Sequence, residues 1–92
     1  MSYQIQWTSR FKKDYKQAIR RGLPIEELDD VIRLLAGGEA LPKTLQDHAL
    51  TGNWLGHREC HIRPDWLLIY KISSQQLVLS LTRTGSHADL LE

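Results

Sequence analysis

The sequence has no second cysteine. Cys60 stands alone in 92 residues, which excludes an internal disulfide and fits a reducing compartment. Long apolar runs are missing as well: the longest, Trp66 to Tyr70, is far short of the ~18 residues that read as a membrane span. Met1 to Gln6 has neither a basic region nor an apolar segment behind it, so no secretory signal is read and a cytoplasmic location is expected. Internal repeats, low-complexity tracts and interdomain linkers are also lacking, and 92 residues suffice for one domain but not two; a single domain over residues 1–92 is expected. With 41% hydrophobic and 25% charged residues, the composition excludes disordered and fibrous classes. A formal net charge of +1 offers no bulk argument for nucleic acid.

The charge that is present is unevenly placed. Arg10, Lys12, Lys13, Lys16, Arg20 and Arg21 meet only Asp14, and the acidic block Glu26, Glu27, Asp29 and Asp30 follows. This pattern suits a solvated helix face and suits equally a local phosphate-facing patch, in which Lys12, Lys16 and Arg20 are the candidate contacts to RNA.

Tyr3, Ile5 and Trp7 alternate with Gln4 and Gln6, the period of a strand with one face on the core. Thr8 or Ser9 caps a first helix in which Phe11, Tyr15, Ala18 and Ile19 recur at helical spacing, and Gly22 supplies a left-handed stop. Pro24 suits the first turn of a second helix, where Glu26 and Glu27 complement the positive end of the dipole; Ile25, Leu28, Ile32 and Leu35 form its apolar stripe, which ends at Gly37 and Gly38. Beyond Pro42 short β-rich runs take over: His48 to Leu50, His57 to Ile62, a turn at Pro64 and Asp65, Trp66 to Ile72 with both faces apolar, and Leu77 to Thr82. Ser86 to Asp89 resembles a capping box opening a last helical turn. The expected fold is α+β in the order β-α-α-β-β-β-β-α, a mainly antiparallel sheet with a helical hairpin packed on one face.

His48 lies before a turn, His61 near a strand end and His87 at a helix start, with Asp65 and Trp66 in a turn and Arg83 closing the final strand. All are positions where loops gather around a sheet edge. Spacing alone leaves open whether they form one cluster or lie scattered on the surface. Trp66 suits a core aromatic or a base-stacking platform, and Arg83 a phosphate clamp or an ion-pair partner. Trp7 and Trp54 are assigned to packing and Glu59 to solvent.

The strings Asp47 to Leu50, Gly52-Asn53-Trp54, Arg58 to Tyr70 and Arg83 to Leu90, in that order, closely resemble the YafQ toxins of the RelE superfamily, as does the order of elements. The resemblance extends over nearly the whole chain. It implies the toxin of a type II toxin–antitoxin system: a ribosome-dependent endoribonuclease that enters the decoding site, cuts the bound messenger and stops translation, and is held inactive by a DinJ-like antitoxin with a ribbon-helix-helix DNA-binding end. By position, His48, His61, Asp65 and His87 match the family's catalytic residues and Trp66 a residue beside them. Some relatives have an aromatic residue where Leu91 stands here.

Cutting RNA with no cofactor requires a base for the 2′-hydroxyl proton, an acid for the leaving 5′-oxygen, and cationic donors for the charge on phosphorus. Histidine fits the proton transfers, with an ordinary pKa of ~6.5. His87 is assigned as acid or its close partner, Asp65 or His61 as base, His48 in support and Arg83 as phosphate clamp. Two rivals stand beside this reading. His57 and His61, four apart on a strand and near Asp65, are placed for a zinc hydrolase, although no Cys pair or His-Glu-x-x-His helix accompanies them. A binding module that occupies RNA or the ribosome without cutting would need Lys12, Lys16 and Arg20 but not the histidines.

Overall fold

The computed structural model describes residues 2–91, apart from the side chain of Leu91, so the contact considered at Leu91 lies outside the described residues. The chain opens with β1 (Gln4–Trp7) and turns at Thr8 into α1 (Ser9–Arg20). Thr8 rather than Ser9 is the cap. Its hydroxyl oxygen accepts the Phe11 N–H at 3.0 Å and donates to the Thr82 carbonyl at 2.8 Å. Gly22, at φ 77°, provides the left-handed exit. In α2 (Ile25–Ala36), Pro24 stands at the N-cap, one position earlier than expected, with Glu26 and Glu27 in the first turn. Leu28, Val31, Ile32 and Leu35 are its buried stripe.

A turn of 3-10 helix (Lys43–Leu45) leads into β2 (His48–Ala49), and a second (Gly52–Trp54) into β3 (Arg58–Arg63). The chain finishes with β4 (Trp66–Ser73), β5 (Val78–Gly85) and α3 (His87–Leu91). One five-stranded sheet results, in the order β1-β5-β4-β3-β2. Among the described residues β1 and β5 run parallel and the other pairs antiparallel. The expected α+β architecture holds, with shifts at the strand ends. Leu77 sits at φ 56° in the turn, and β5 runs on to Gly85. His57 precedes β3, so the same-face argument that paired it with His61 does not apply.

The sheet is apolar on both sides because β4 is buried on both. Trp66, Leu68 and Tyr70 join Phe11, Leu28, Ile32, Leu79 and Leu81 in the main core under the helical hairpin. Leu67 and Ile69 face the other way and pack with Leu90 of α3, Leu50 and Trp54. Strand alternation in β3 follows the same division. Cys60 and Ile62 belong to the hairpin side, while Glu59 and His61 lie opposite Ile69 and Leu67 on the second face. The helices leave that second face largely bare, covered only by α3 and the loop that carries Trp54.

Helix α1 also closes a gap at the sheet edge. β1 pairs with Val78 to Leu81 and then ends, so the last residues of β5, paired with β4 on one edge, have no strand on the other. Asp14 takes its place: its Oδ2 accepts the Thr84 N–H at 3.2 Å and the Arg83 Nε at 2.7 Å. A strand edge that would otherwise present unpaired groups is thus capped by a carboxylate.

Candidate active site

Three imidazoles lie in a row on the second face of the sheet. The rings of His48 and His61 are 6.4 Å apart and those of His61 and His87 5.7 Å, measured between centroids. β2 brings in the first, because His48 is in register with Glu59. β3 contributes the second. The third arrives with α3, whose capping box is formed as the sequence suggests: Ser86 Oγ accepts the Asp89 N–H at 3.1 Å and Asp89 Oδ2 accepts the Ser86 N–H at 3.0 Å. Asp89 also binds Arg21 at 2.7 Å, tying the end of α1 to the helix that carries His87. That guanidinium, together with the Ser86 N–H, holds the Asp89 carboxyl far below the usual range.

Carboxyl groups orient the row. Asp65, in the turn between β3 and β4, accepts both the backbone N–H of His87 at 2.9 Å and its ring Nδ1 at 2.6 Å. The backbone N–H first, and the imidazole second, pull the Asp65 carboxyl below its ordinary pKa. A carboxylate can only accept, so Nδ1 carries the proton and Nε2 is left to exchange one. His48 is engaged on both sides: Nδ1 donates to the Gln46 carbonyl at 2.7 Å and Nε2 lies 3.5 Å from Glu59 Oε1. His61 turns Nε2 toward the same Glu59 oxygen at 3.6 Å, which leaves its Nδ1 outside that contact. His61 and His87 are therefore the two imidazoles with a nitrogen to spare, while His48 supports.

Glu59 is the residue missed from sequence. It is 4% exposed rather than turned to solvent, and its Oε2 is buried without a hydrogen-bond partner among the described residues. The available signal was period two: Glu59 and His61 must share a strand face. Trp66 also needs correction. At 2% exposure it is a core residue, its indole N–H donating to Thr84 Oγ1 at 3.0 Å, and stacking on a base would require pulling it out of the core. Arg83 is committed to Asp14 through Nε at 2.7 Å and Nη2 at 3.3 Å, so a phosphate would have to compete with that carboxylate. Lys12, Lys16 and Arg20 are exposed, but helical periodicity turns them away from Asp14. The cations that share a groove of about 320 Å³ with Asp89 of α3 are Arg10, Lys13 and Arg83. His57 packs edge-on against Trp54 at 5.4 Å, and no group of three His, Cys, Asp or Glu residues suited to a metal ion occurs among the described residues. The zinc pairing of His57 with His61 is not formed.

A sheet backed by a helical hairpin, with a row of imidazoles and carboxyls on its bare face, defines a class: small α+β proteins equipped for proton transfer on an open surface. The chain belongs to the YafQ family, since the family model described as a bacterial toxin of type II toxin-antitoxin systems, YafQ, matches residues 3–92. It is similar to the mRNA interferase toxin YafQ of Escherichia coli K12, 38% identical over 87 residues that span 94% of this chain and 92% of that protein. The fold matches the crystal structure of YafQ from E. coli BL21(DE3) with a TM-score of 0.92 at 35% identity, covering 98% of this chain and 99% of the other. It also matches a chain of the E. coli DinJ-YafQ toxin-antitoxin complex, with a TM-score of 0.91 at 35% identity, covering 100% of this chain and 100% of that one.

Proposed function

We propose that this protein is a toxin that cuts messenger RNA by acid–base catalysis on the ribosome and is silenced by a DinJ-like antitoxin. The observation that carries the reading is the row His48, His61 and His87 with Glu59 and Asp65 behind it. Rings 5.7 Å apart suit the two sides of one phosphodiester. His61 takes the 2′-hydroxyl proton, the 2′-oxygen attacks phosphorus, and His87 Nε2 gives a proton to the departing 5′-oxygen. The products are a 2′,3′-cyclic phosphate and a 5′-hydroxyl. The side chains named here suffice for both proton transfers. The E. coli toxin that shares this fold is known in complex with DinJ, which supports an antitoxin of that kind here.

The open setting of the row supports dependence on the ribosome. Asp65 and His87 keep 72% and 48% of their side-chain surface exposed, so the protein alone does little to hold a flexible RNA in line for attack. A ribosome that presents the messenger in a fixed, bent shape supplies that positioning. Purified protein is therefore expected to be a poor nuclease on naked transcripts.

The deciding experiment is His87→Ala in a translating extract, with messenger 5′ ends mapped. Cleavage is expected to fall ~100- to 10,000-fold, the range for loss of a general acid, while ribosome binding survives. Cutting at the wild-type rate removes His87 from the mechanism. The exposed cations of α1 favour a second reading, a module that binds RNA without cutting it. No cutting by wild type, with ribosome binding that survives His87→Ala but is lost when Lys12, Lys16 and Arg20 are replaced together, would point there.

A further inference from the structure

A cleft of about 470 Å³ opens between the 3-10 turn at Lys43–Leu45 and the end of β3, beside the histidine row. Its volume lies within the ~300–1,000 Å³ of small-ligand sites. His61 is one of its walls, so cleft and row are continuous. Leu45 and Ile62 give it an apolar side, and Thr44, Gln46 and Arg63 a polar one.

Gln46 is built into this site twice. It adopts the left-handed conformation at φ 53°, strained for a residue with a side chain. Its backbone is fully used there: the N–H donates to the Lys43 carbonyl at 3.0 Å and the carbonyl accepts His48 Nδ1 at 2.7 Å. Gln46 is one of the residues that line the cleft. Arg63, also a wall of the cleft, has its guanidinium held by a bidentate pair with Glu27, at 3.1 Å from Nε and 2.6 Å from Nη2. An amide, a hydroxyl, an apolar wall and a planar cation are the groups that read an unstacked base by its edge and its face.

We infer that the cleft is a base-reading subsite, which takes the nucleobase adjoining the scissile phosphate on the His61 side. The inference rests on the endoribonuclease reading and deepens it. Gln46 and Thr44 pair with the base edge, and Leu45 and Ile62 pack against its face. Preference at the cut is then set by the Gln46 and Thr44 side chains, while the backbone carbonyl of the same Gln46 orients His48.

The test compares wild type with Gln46→Leu and Thr44→Val in a translating extract, on messengers that differ only in the nucleotides flanking one cut. Wild type is expected to prefer one base at one flanking position. Thr44→Val still cuts but loses about 10-fold of that preference, the equivalent of one well-made base contact. Gln46→Leu, whose carbonyl also orients His48, loses the same preference whatever its residual rate. Cutting by both variants with an unchanged base preference overturns the subsite while leaving the nuclease reading intact. Loss of all cutting in folded Gln46→Leu and Thr44→Val overturns it as well, because the cleft would then serve the chemistry rather than selection. Absence of cutting by wild type itself defeats the nuclease reading and the subsite with it.

Discussion

Glu59 holds one carboxyl oxygen 3.5 Å from His48 and 3.6 Å from His61, while the other is buried with no hydrogen-bond partner among the described residues. Such an arrangement costs stability, because a buried polar atom without a partner forfeits its hydration. It is explained if the group orients the imidazoles. Glu59→Gln is therefore expected to reduce cleavage about 100-fold, the effect of a small misplacement in a catalytic array, without lowering the urea midpoint. A lower midpoint with normal cleavage would make Glu59 merely structural. Asp65 presents a different residue-scale case. Its folded pKa lies below the unfolded one, so its contact with His87 is fully present above the ordinary carboxylate range and is lost as pH falls through the depressed value. Followed by NMR, the Asp65 carboxyl should titrate below its usual ~3.9; a midpoint at or above that value contradicts the pairing. At this scale the histidines and Asp65 were legible as residue types at loop positions. Burial of Glu59 and Trp66 was not, because it depends on which face each strand turns inward.

The decisive feature among the elements is the brevity of β1. By ending at Trp7 it leaves the edge of β5 away from β4 open from Thr82 to Gly85, and Thr8 and Asp14 close the gap. The Asp14–Arg83 pair is only 10% and 15% exposed, so removing one partner strands a charge. Asp14→Ala is expected to lower stability by about 3 kcal/mol, read from urea unfolding, and to speed hydrogen exchange at the Thr84 amide. Because Ser86 and His87 follow directly on β5, cleavage should fall with it. Unaltered exchange at Thr84 would show that the edge needs no cap. Helix boundaries were legible in the sequence because caps are local chemistry: Thr8, Gly22 and the Ser86/Asp89 box are all used. The end of β5 was not, since its length is set by a helix some seventy positions away in the chain, as the 70-residue separation of Asp14 and Thr84 shows.

Taken whole, the molecule depends on one principal core with a smaller second one. Phe11, Leu28, Leu68, Tyr70, Leu79 and Leu81 are almost completely shielded between sheet and hairpin. A chain this short has little stability to lose, since domains are held by about 5–15 kcal/mol. Phe11→Ala, with an expected cost of about 3–5 kcal/mol, should bring the protein close to its unfolding threshold, as a thermal melt would show. A loss below 1 kcal/mol would place Phe11 outside the core. Among the described residues no helix is long and apolar enough to cross a membrane, in keeping with the short apolar runs.

The sequence by itself determined the order of elements, the caps that begin and end them, and the stretch that resembles one toxin family, because each depends on neighbours a few residues apart. Tertiary structure alone decided that His48, His61 and His87 form a row, that Glu59 is buried between two of them, and that Arg83 is paired with Asp14. Those outcomes follow from strand register and from the packing of α1 against the end of β5, contacts between distant parts of the chain that no local spacing encodes.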